Sequence, residues 1–328
     1  MKKILVTGGA GYIGSHTVRQ LSKNNYIPII YDNLSTGHKE FIRDYEFIEG
    51  DIGDFDKLTS VFKKHEIECV VNFASFIAVS ESVKLPLKYY KNNLSCAIEL
   101  FRAMIESGLN HFIFSSSAAV YGFPEKTPIT ENSPLKPINP YGRSKLFIEE
   151  ILKDLDISDG IKSICLRYFN AAGASPIGDI GENHIPETHL IPLIMRSIID
   201  KNYSLTVFGT DYATPDGTCI RDYIHVNDLA SAHVLALDYL LSQKKSDVFN
   251  LGNERGFSVN EVIKSTERIT GKKSTINYGA KRAGDPAVLV ASSNKAKNIL
   301  NWKGEIDELD KIIETAWKWE SSGRRKGY

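Results

Sequence analysis

The 328-residue sequence predicts an α/β protein, a doubly wound parallel sheet with a smaller mixed α/β C-terminal part. Three observations predict it. Short β-branched runs alternate with helical patterns through the first half; the spacers are long enough for the crossovers that parallel neighbours need; and the first run ends in a glycine-rich turn that opens a helix.

In chain order, "KILVT" (3–7) is the first strand and "YIGSHTVRQLSKN" the helix after it. "YIPIIYD" (26–32) and "YEFIEGD" are the second and third strands, then come the helical "DFDKLTSVFKKH" and the buried-type strand "CVVNFA" (69–74). A helical segment from about Pro86 to Ser107 precedes "HFIFSSS" (111–117). After a proline-rich loop Pro140 opens another helix, and "KSICLRYF" reads as a further strand. Past about residue 170 the rhythm loosens into "NAAGASPIGDIGENHIPETH" and "GTDYATPDGTCIRDYIH", stretches that suit substrate-binding segments or plain surface irregularity. Helical patterns return at 226–241, 258–270 and 305–319, with a short strand at "VFNLG" and a tail, "SSGRRKGY", that reads as solvated.

Forty basic residues balance forty acidic ones, and 42% of the chain is hydrophobic. Such a chain is globular, with no electrostatic bias toward nucleic acid or a membrane surface. No apolar run reaches the roughly 18 residues that span a bilayer, and the N-terminal apolar run is too short for a signal peptide, so a cytoplasmic location is expected. Cys69, Cys96, Cys165 and Cys219 lie far apart, as reduced thiols do. His184 and His189, five apart around Pro186, fit no zinc-ligand spacing and read as solvated or hydrogen-bonded, so no metal is implied.

The first strand runs into "TGGAGYIG", which sets Gly8, Gly11 and Gly14 at three-residue intervals opening a helix. Glycines let the backbone approach a pyrophosphate, and the helix N-terminus offers N–H donors and positive dipole. This is a Rossmann-type dinucleotide turn. Asp32 ends the second strand, where a carboxylate accepts from the adenosine ribose hydroxyls and repels a 2′-phosphate; with no arginine in Asn33, Leu34 and Ser35, the reading is NAD. Asp51 in "EGDI" stands near the adenine.

In "NPYGRSK" (139–145) Tyr141 and Lys145 are four apart on one helix, so their side chains project into the same space. A phenol titrates near 10, and a neighbouring ammonium favours its phenolate, which would bring Tyr141 toward general-base work near neutral pH.

The glycine turn, this pair and the serines of "SSSAAVYG" together resemble the extended short-chain dehydrogenase/reductase superfamily. Within it, "VTGGAGYIGSH", "YDNLSTG", "EGDI", "VSESVKLPLKYYKNN", "FSSSAAVYG", "PYGRSK", "LRYFNAAGA" and "RDYIHVNDLA" are similar to the UDP-glucose 4-epimerase family. The resemblance implies a catalytic set of Ser117, Tyr141 and Lys145. It extends the cofactor site to Tyr12, Ile13, Asn33, Ile52, Phe73, Ala74, Asn92 and Tyr168. Asn170, His189, Leu190, Arg221 and Arg282 would hold the UDP portion, with Asp285 accompanying Arg282 at the ribose and Phe208 near the uracil. A guanidinium fork suits a diphosphate, although an isolated arginine is more often in a surface ion pair. Residues 1–170 would bind NAD and carry the catalytic set; residues 171–328 would mainly bind the UDP-sugar, with about 226–250 returning to the first domain. The implied reaction interconverts UDP-galactose and UDP-glucose through a 4-keto intermediate, with no net redox change. UDP-N-acetylglucosamine, UDP-glucuronate and UDP-xylose remain alternative substrates.

Two positions depart from the family's best-known pattern. Ile77 stands where some members carry a lysine, and Leu289 falls where others have a tyrosine or a smaller residue limiting room for the sugar. Ala118 and Ala119 replace the acid that sugar-nucleotide dehydratases carry before "VYG", which argues against dehydration, and Asp32 argues against an NADP-linked reductase. The family pairs protomers through two helices each, here 86–107 and 140–157. Leu94, Ile98, Leu146 and Ile148 would supply a homodimer seam or the core.

Overall fold

The computed structural model describes residues 1–282, 285–325 and 327. Its first half runs β1 (Lys3–Thr7), α1 (Tyr12–Lys23), β2 (Ile27–Asp32), β3 (Glu46–Glu49), α2 (Phe55–His65), β4 (Cys69–Asn72), α3 (Val79–Lys84), α4 (Pro86–Tyr89), a π-helical turn (Tyr90–Ser95), α5 (Cys96–Glu106), β5 (His111–Ser115), α6 (Pro140–Ser158) and β6 (Lys162–Tyr168). The second half runs β7 (Asn170–Ala172), α7 (Leu190–Ile199), β8 (Leu205–Phe208), β9 (Ile220–His225), α8 (Val226–Gln243), β10 (Asp247–Leu251), β11 (Gly256–Ser258), α9 (Val259–Thr270), β12 (Ile276–Gly279), β13 (Val288–Leu289), α10 (Asn294–Ile299) and α11 (Leu309–Glu320).

Seven strands form one sheet in the order β10-β6-β5-β4-β1-β2-β3, every pair parallel. Because the inner strands β1, β2, β4, β5 and β6 are buried on both faces, they read as largely continuous apolar runs, whereas the edge strand β3, EFIE, is exposed at both ends. Val18 and Leu21 of α1 and Leu229, Leu237 and Leu240 of α8 cover one face; Leu58 and Phe62 of α2, Leu100 and Met104 of α5 and Ile148 and Leu152 of α6 cover the other. The order in which the chain lays down strands reverses between β1 and β4, so a crevice opens at the carboxyl ends of those parallel strands, the position where such sheets take ligands.

The stretches past residue 170 that read as loops contain more order than expected. β9 pairs with β7, β11 and β13, β8 pairs with β12, and α7, α9 and α11 cover them over a third core that includes Ile194, Val262 and Ile312. The tail is solvated at residues 321–324 and at Gly327, as expected, and departs from that reading at Arg325. Arg325 is 3% exposed and pairs with Glu187 and Glu320, so it is packed rather than solvated; Lys326 and Tyr328 lie outside the described residues.

His16, His225 and His233 are buried, and burial pushes them down to about 3, 4 and 4. An unfolded imidazole titrates near 6.5, so as pH falls through the window from about 6.5 to 4 the unfolded chain binds protons that the folded chain refuses, and stability falls. For His233 the loss reaches about 3 kcal/mol. His233→Gln is therefore expected to flatten the fall of unfolding free energy between pH 6.5 and 4.5 by about 2 kcal/mol, as read by urea titrations across that range.

Candidate active site

The crevice is the mouth of a cavity of about 1300 Å³. That exceeds the roughly 300–1,000 Å³ usual for a single small ligand and has room for two. Every residue assigned from the sequence to cofactor, substrate or chemistry lines it.

At one end Gly8, Gly11 and Gly14 form the turn from β1 into α1. Gly11 caps α1 without a side-chain acceptor and no acidic residue stands in the first turn, so the N–H groups of Tyr12, Ile13 and Gly14 are available for an anion. Asp32 ends β2 with its Oδ2 accepting from the Ala10 N–H at 2.9 Å and its Oδ1 from the Leu34 N–H at 2.8 Å. Asn33 donates to Asp51 at 2.7 Å, and the Asp51 carboxylate also accepts from the Gly53 N–H at 2.8 Å, while Ile52 is buried beside them. Phe73 and Ala74 follow β4 and Asn92 comes from the π-helical turn; Tyr168 ends β6 with its hydroxyl bonded to Ser115. An uncapped helix N-terminus with a carboxylate at the end of the second strand fits a dinucleotide with a free ribose 2′-hydroxyl, as NAD has.

The middle of the cavity holds Ser117, Tyr141 and Lys145. Asn139 starts α6 by accepting from the Gly142 N–H at 2.8 Å, and Pro140 occupies the first turn, so Tyr141 projects from the first turn with Lys145 one turn on. Burial pushes the Tyr141 phenol up, and its hydrogen bond with Ser117 acts the other way. Burial lowers Lys145 to about 7, against the pull of Glu149. The sequence suggested that Lys145 would bring Tyr141 down; here its Nζ donates to the Ser115 carbonyl at 2.8 Å, 5.7 Å from the centroid of the Tyr141 ring, and does not offset the burial of the phenol.

At the far end lie Asn170 of β7, His189 and Leu190 at the start of α7, Phe208 of β8, Arg221 of β9, Arg282 and Asp285. Asp285 is paired with Arg221, not Arg282; Arg282 instead stacks over the Phe208 ring at 4.1 Å. The two guanidiniums are thus held apart, one by a carboxylate and one by an aromatic face.

Sequence reading missed one group here. The donor atoms of Glu182, His184, Glu187 and His189 lie within 4.8 Å of one another. Glu182 accepts from His189, the His184 Nδ1 is 3.1 Å from Glu182, and Arg325 Nη2 is 3.0 Å from Glu187. Burial alone would lower His184, but the neighbouring carboxylates of Glu182 and Glu187 raise it to about 10; Glu182 likewise raises His189 against burial. The two histidines and the Arg325 guanidinium thus lie against these carboxylates from within the chain. The spacing E-x-H-x-x-E-x-H was the available signal, but Arg325 stands far downstream and no local pattern announces it.

A family model described as the NAD dependent epimerase/dehydratase family matches residues 4–252. The UDP-glucose 4-epimerase of Lactobacillus helveticus is 49% identical over 99% of this chain and 99% of its own. The crystal structure of UDP-glucose 4-epimerase from Brucella ovis in complex with NAD superposes with a TM-score of 0.94 at 46% identity, covering 97% of this chain and 98% of that one. The enzyme from Bifidobacterium longum in complex with NAD+ and UDP superposes with a TM-score of 0.92 at 38% identity, covering 98% of each. With its dinucleotide turn, its Ser-Tyr-Lys set and these relatives spanning its whole length, the chain belongs to the NAD dependent epimerase/dehydratase family, among the UDP-glucose 4-epimerases.

Proposed function

We propose that this chain interconverts UDP-galactose and UDP-glucose at C4 of the sugar. The observation that carries the reading is that Ser117, Tyr141 and Lys145 stand in one cavity between the dinucleotide turn and the pair Arg221 and Arg282. Residues 1–170 would hold the cofactor and residues 171–328 mainly the sugar nucleotide, with Gly8, Gly11, Gly14 and Asp32 on NAD. Bound NAD supplies reversible two-electron oxidation at C4. Tyr141, as phenolate, accepts the proton of the sugar 4-hydroxyl while the Ser117 hydroxyl donates to the 4-oxygen. Lys145 alone does not offset the cost of ionising the buried phenol; the positive charge of the oxidised cofactor, added to that of Lys145, would do so. Arg221 and Arg282 hold the nucleotide while the 4-keto sugar turns its other face, and Tyr141 then returns the proton to give the opposite C4 configuration.

The test is incubation with UDP-galactose and no added cofactor, followed by proton NMR. Appearance of UDP-glucose supports the reading; no product even with added NAD sinks it. Leu289 favours keeping N-acetylated UDP-sugars as second substrates, because it is partly buried against Val120, Tyr121 and Ile129 and lines the cavity with a side chain shorter than tyrosine. Leu289→Tyr is expected to lower turnover of UDP-N-acetylglucosamine at least tenfold relative to UDP-galactose, checked by competing the two substrates in one assay.

We further propose a cytoplasmic homodimer serving galactose metabolism. No helix among the described residues is long and apolar enough to cross a membrane. Of the seam residues expected from the sequence, Ile148 is core and Leu94 and Leu146 are partly buried against core clusters, while Ile98 is exposed. The exposed large apolar residues on α3–α6 are Val79, Val83, Leu87, Ile98, Ile105, Phe147 and Ile157. Phe147→Glu should shift the sedimenting species from dimer to monomer; an unchanged dimer would rule this face out.

A further inference from the structure

One buried charge in the molecule has no part in the chemistry described so far. Glu149 lies one turn beyond Lys145 on α6, and its side chain is fully buried. Its Oε1 accepts from the Ser116 hydroxyl at 2.5 Å and from Arg167 Nε at 2.9 Å, and its Oε2 accepts from Arg167 Nη2 at 2.5 Å. Arg167 in turn donates to the Tyr121 hydroxyl at 2.9 Å, and Tyr121 donates to Asn250 at 2.7 Å. Three successive serines at the end of β5 thus meet three successive turns of α6. Ser117 stands opposite Tyr141 and acts on its phenol, the Ser115 carbonyl accepts from Lys145 and the Ser116 hydroxyl donates to Glu149.

We propose that Glu149 is a positioning residue for the reaction: through Ser116 and Arg167 it locks the end of β5 to α6, and its carboxylate supports the ammonium form of Lys145. The inference rests on the reading of Tyr141 as the group that exchanges a proton with the sugar. An isolated buried carboxylate would be costly, and the bidentate guanidinium makes it tolerable. The same low-dielectric surroundings carry its influence to Lys145, which burial otherwise drives toward the neutral form. Lys145 is faced by Tyr141 and Glu149 on its own helix and by the strand-end serines, with the Tyr168 hydroxyl bonded to Ser115. Glu149 is faced by Arg167 and Cys165 of β6, and the hydroxyl of Tyr121 shares Arg167.

The experiment is Glu149→Gln in the NAD-loaded enzyme, which keeps the shape and removes the charge. With UDP-galactose, kcat is expected to fall about tenfold with KM within twofold, and the alkaline limb of the pH–kcat profile should move to lower pH, since Lys145 then loses its proton earlier. Independently of any substrate, the ultraviolet phenolate titration, taken as a difference against the same protein carrying Tyr141→Phe, should be displaced in Glu149→Gln. A folded variant that only melts at lower temperature, with its pH profile and phenolate titration unmoved, overturns the proposal. Where Glu149→Gln does not fold, Ser116→Ala decides: a several-fold loss of kcat supports the lock and unchanged kcat overturns it. Failure of the functional reading itself would show differently, as turnover surviving in Tyr141→Phe.

Discussion

Tyr141→Phe is expected to lower kcat for UDP-galactose by about a thousandfold, equivalent to about 4 kcal/mol of transition-state stabilisation, with KM changed by less than about threefold. The hydroxyl is the only atom removed. Ser117 is the one polar side chain acting on the phenol, and the ring stays packed at 9% exposure, so folding and cofactor content should be preserved. Ser117 remains to donate to the 4-oxygen, but the phenolate that accepts its proton is gone. The measurement is steady-state kinetics at saturating substrate together with the absorbance of bound NAD. Turnover like that of the unmodified protein would remove Tyr141 from the chemistry and, with it, the role given to Lys145.

The second large effect concerns Gly8. Its φ is +71°, and a Cβ there would stand 2.5 Å from the Ala74 nitrogen and 2.7 Å from the Phe73 carbonyl carbon. Gly8→Ala therefore combines left-handed backbone strain of about 1–2 kcal/mol with overpacking of about 1–3 kcal/mol against main chain that cannot step aside. The expected result is a loss of roughly 3 kcal/mol in unfolding free energy and a protein purified without NAD. Gly14→Ala separates the two contributions. Its backbone is not left-handed, but its Cβ would lie 2.3 Å from the Gly8 carbonyl oxygen, because α1 begins hard against the turn. Denaturant titration and the ratio of absorbance from bound cofactor to that of protein check both variants. Gly8→Ala retaining full NAD would mean that this turn does not set the approach of the pyrophosphate.

What could be read in the sequence was what short stretches encode by themselves. The glycine turn, Asp32 at a strand end and the pair Tyr141 and Lys145 depend on spacing within one element, so they were legible. The orientation of α6 toward solvent was not: Leu146, Phe147 and Ile148 are consecutive, and only packing against β5 and β6 decides that Ile148 goes inward and Phe147 outward. α7 was missed because "LIPLIMRSII" is apolar nearly all round and carries Pro192, so it shows neither a polar face nor an uninterrupted helical composition. Partnerships across distant segments were the least visible. Nothing near Glu187 points to Arg325, and nothing near Arg282 tells that Asp285 turns to Arg221 instead.

The sheet is finished by a strand from far along the chain: β10, residues 247–251, pairs with β6, whose own last residue is 168. On a ribosome adding about 5–20 residues per second, β6 is made several seconds before its partner. During that interval "SICLRY" presents an unpaired apolar edge, the kind of template on which nascent chains join one another. Overproduction is therefore expected to be limited by what happens to the half-made chain rather than by the stability of the finished one. Slower synthesis at low temperature, or a chaperone occupying that edge, should raise the soluble yield more than any stabilising substitution in the completed fold.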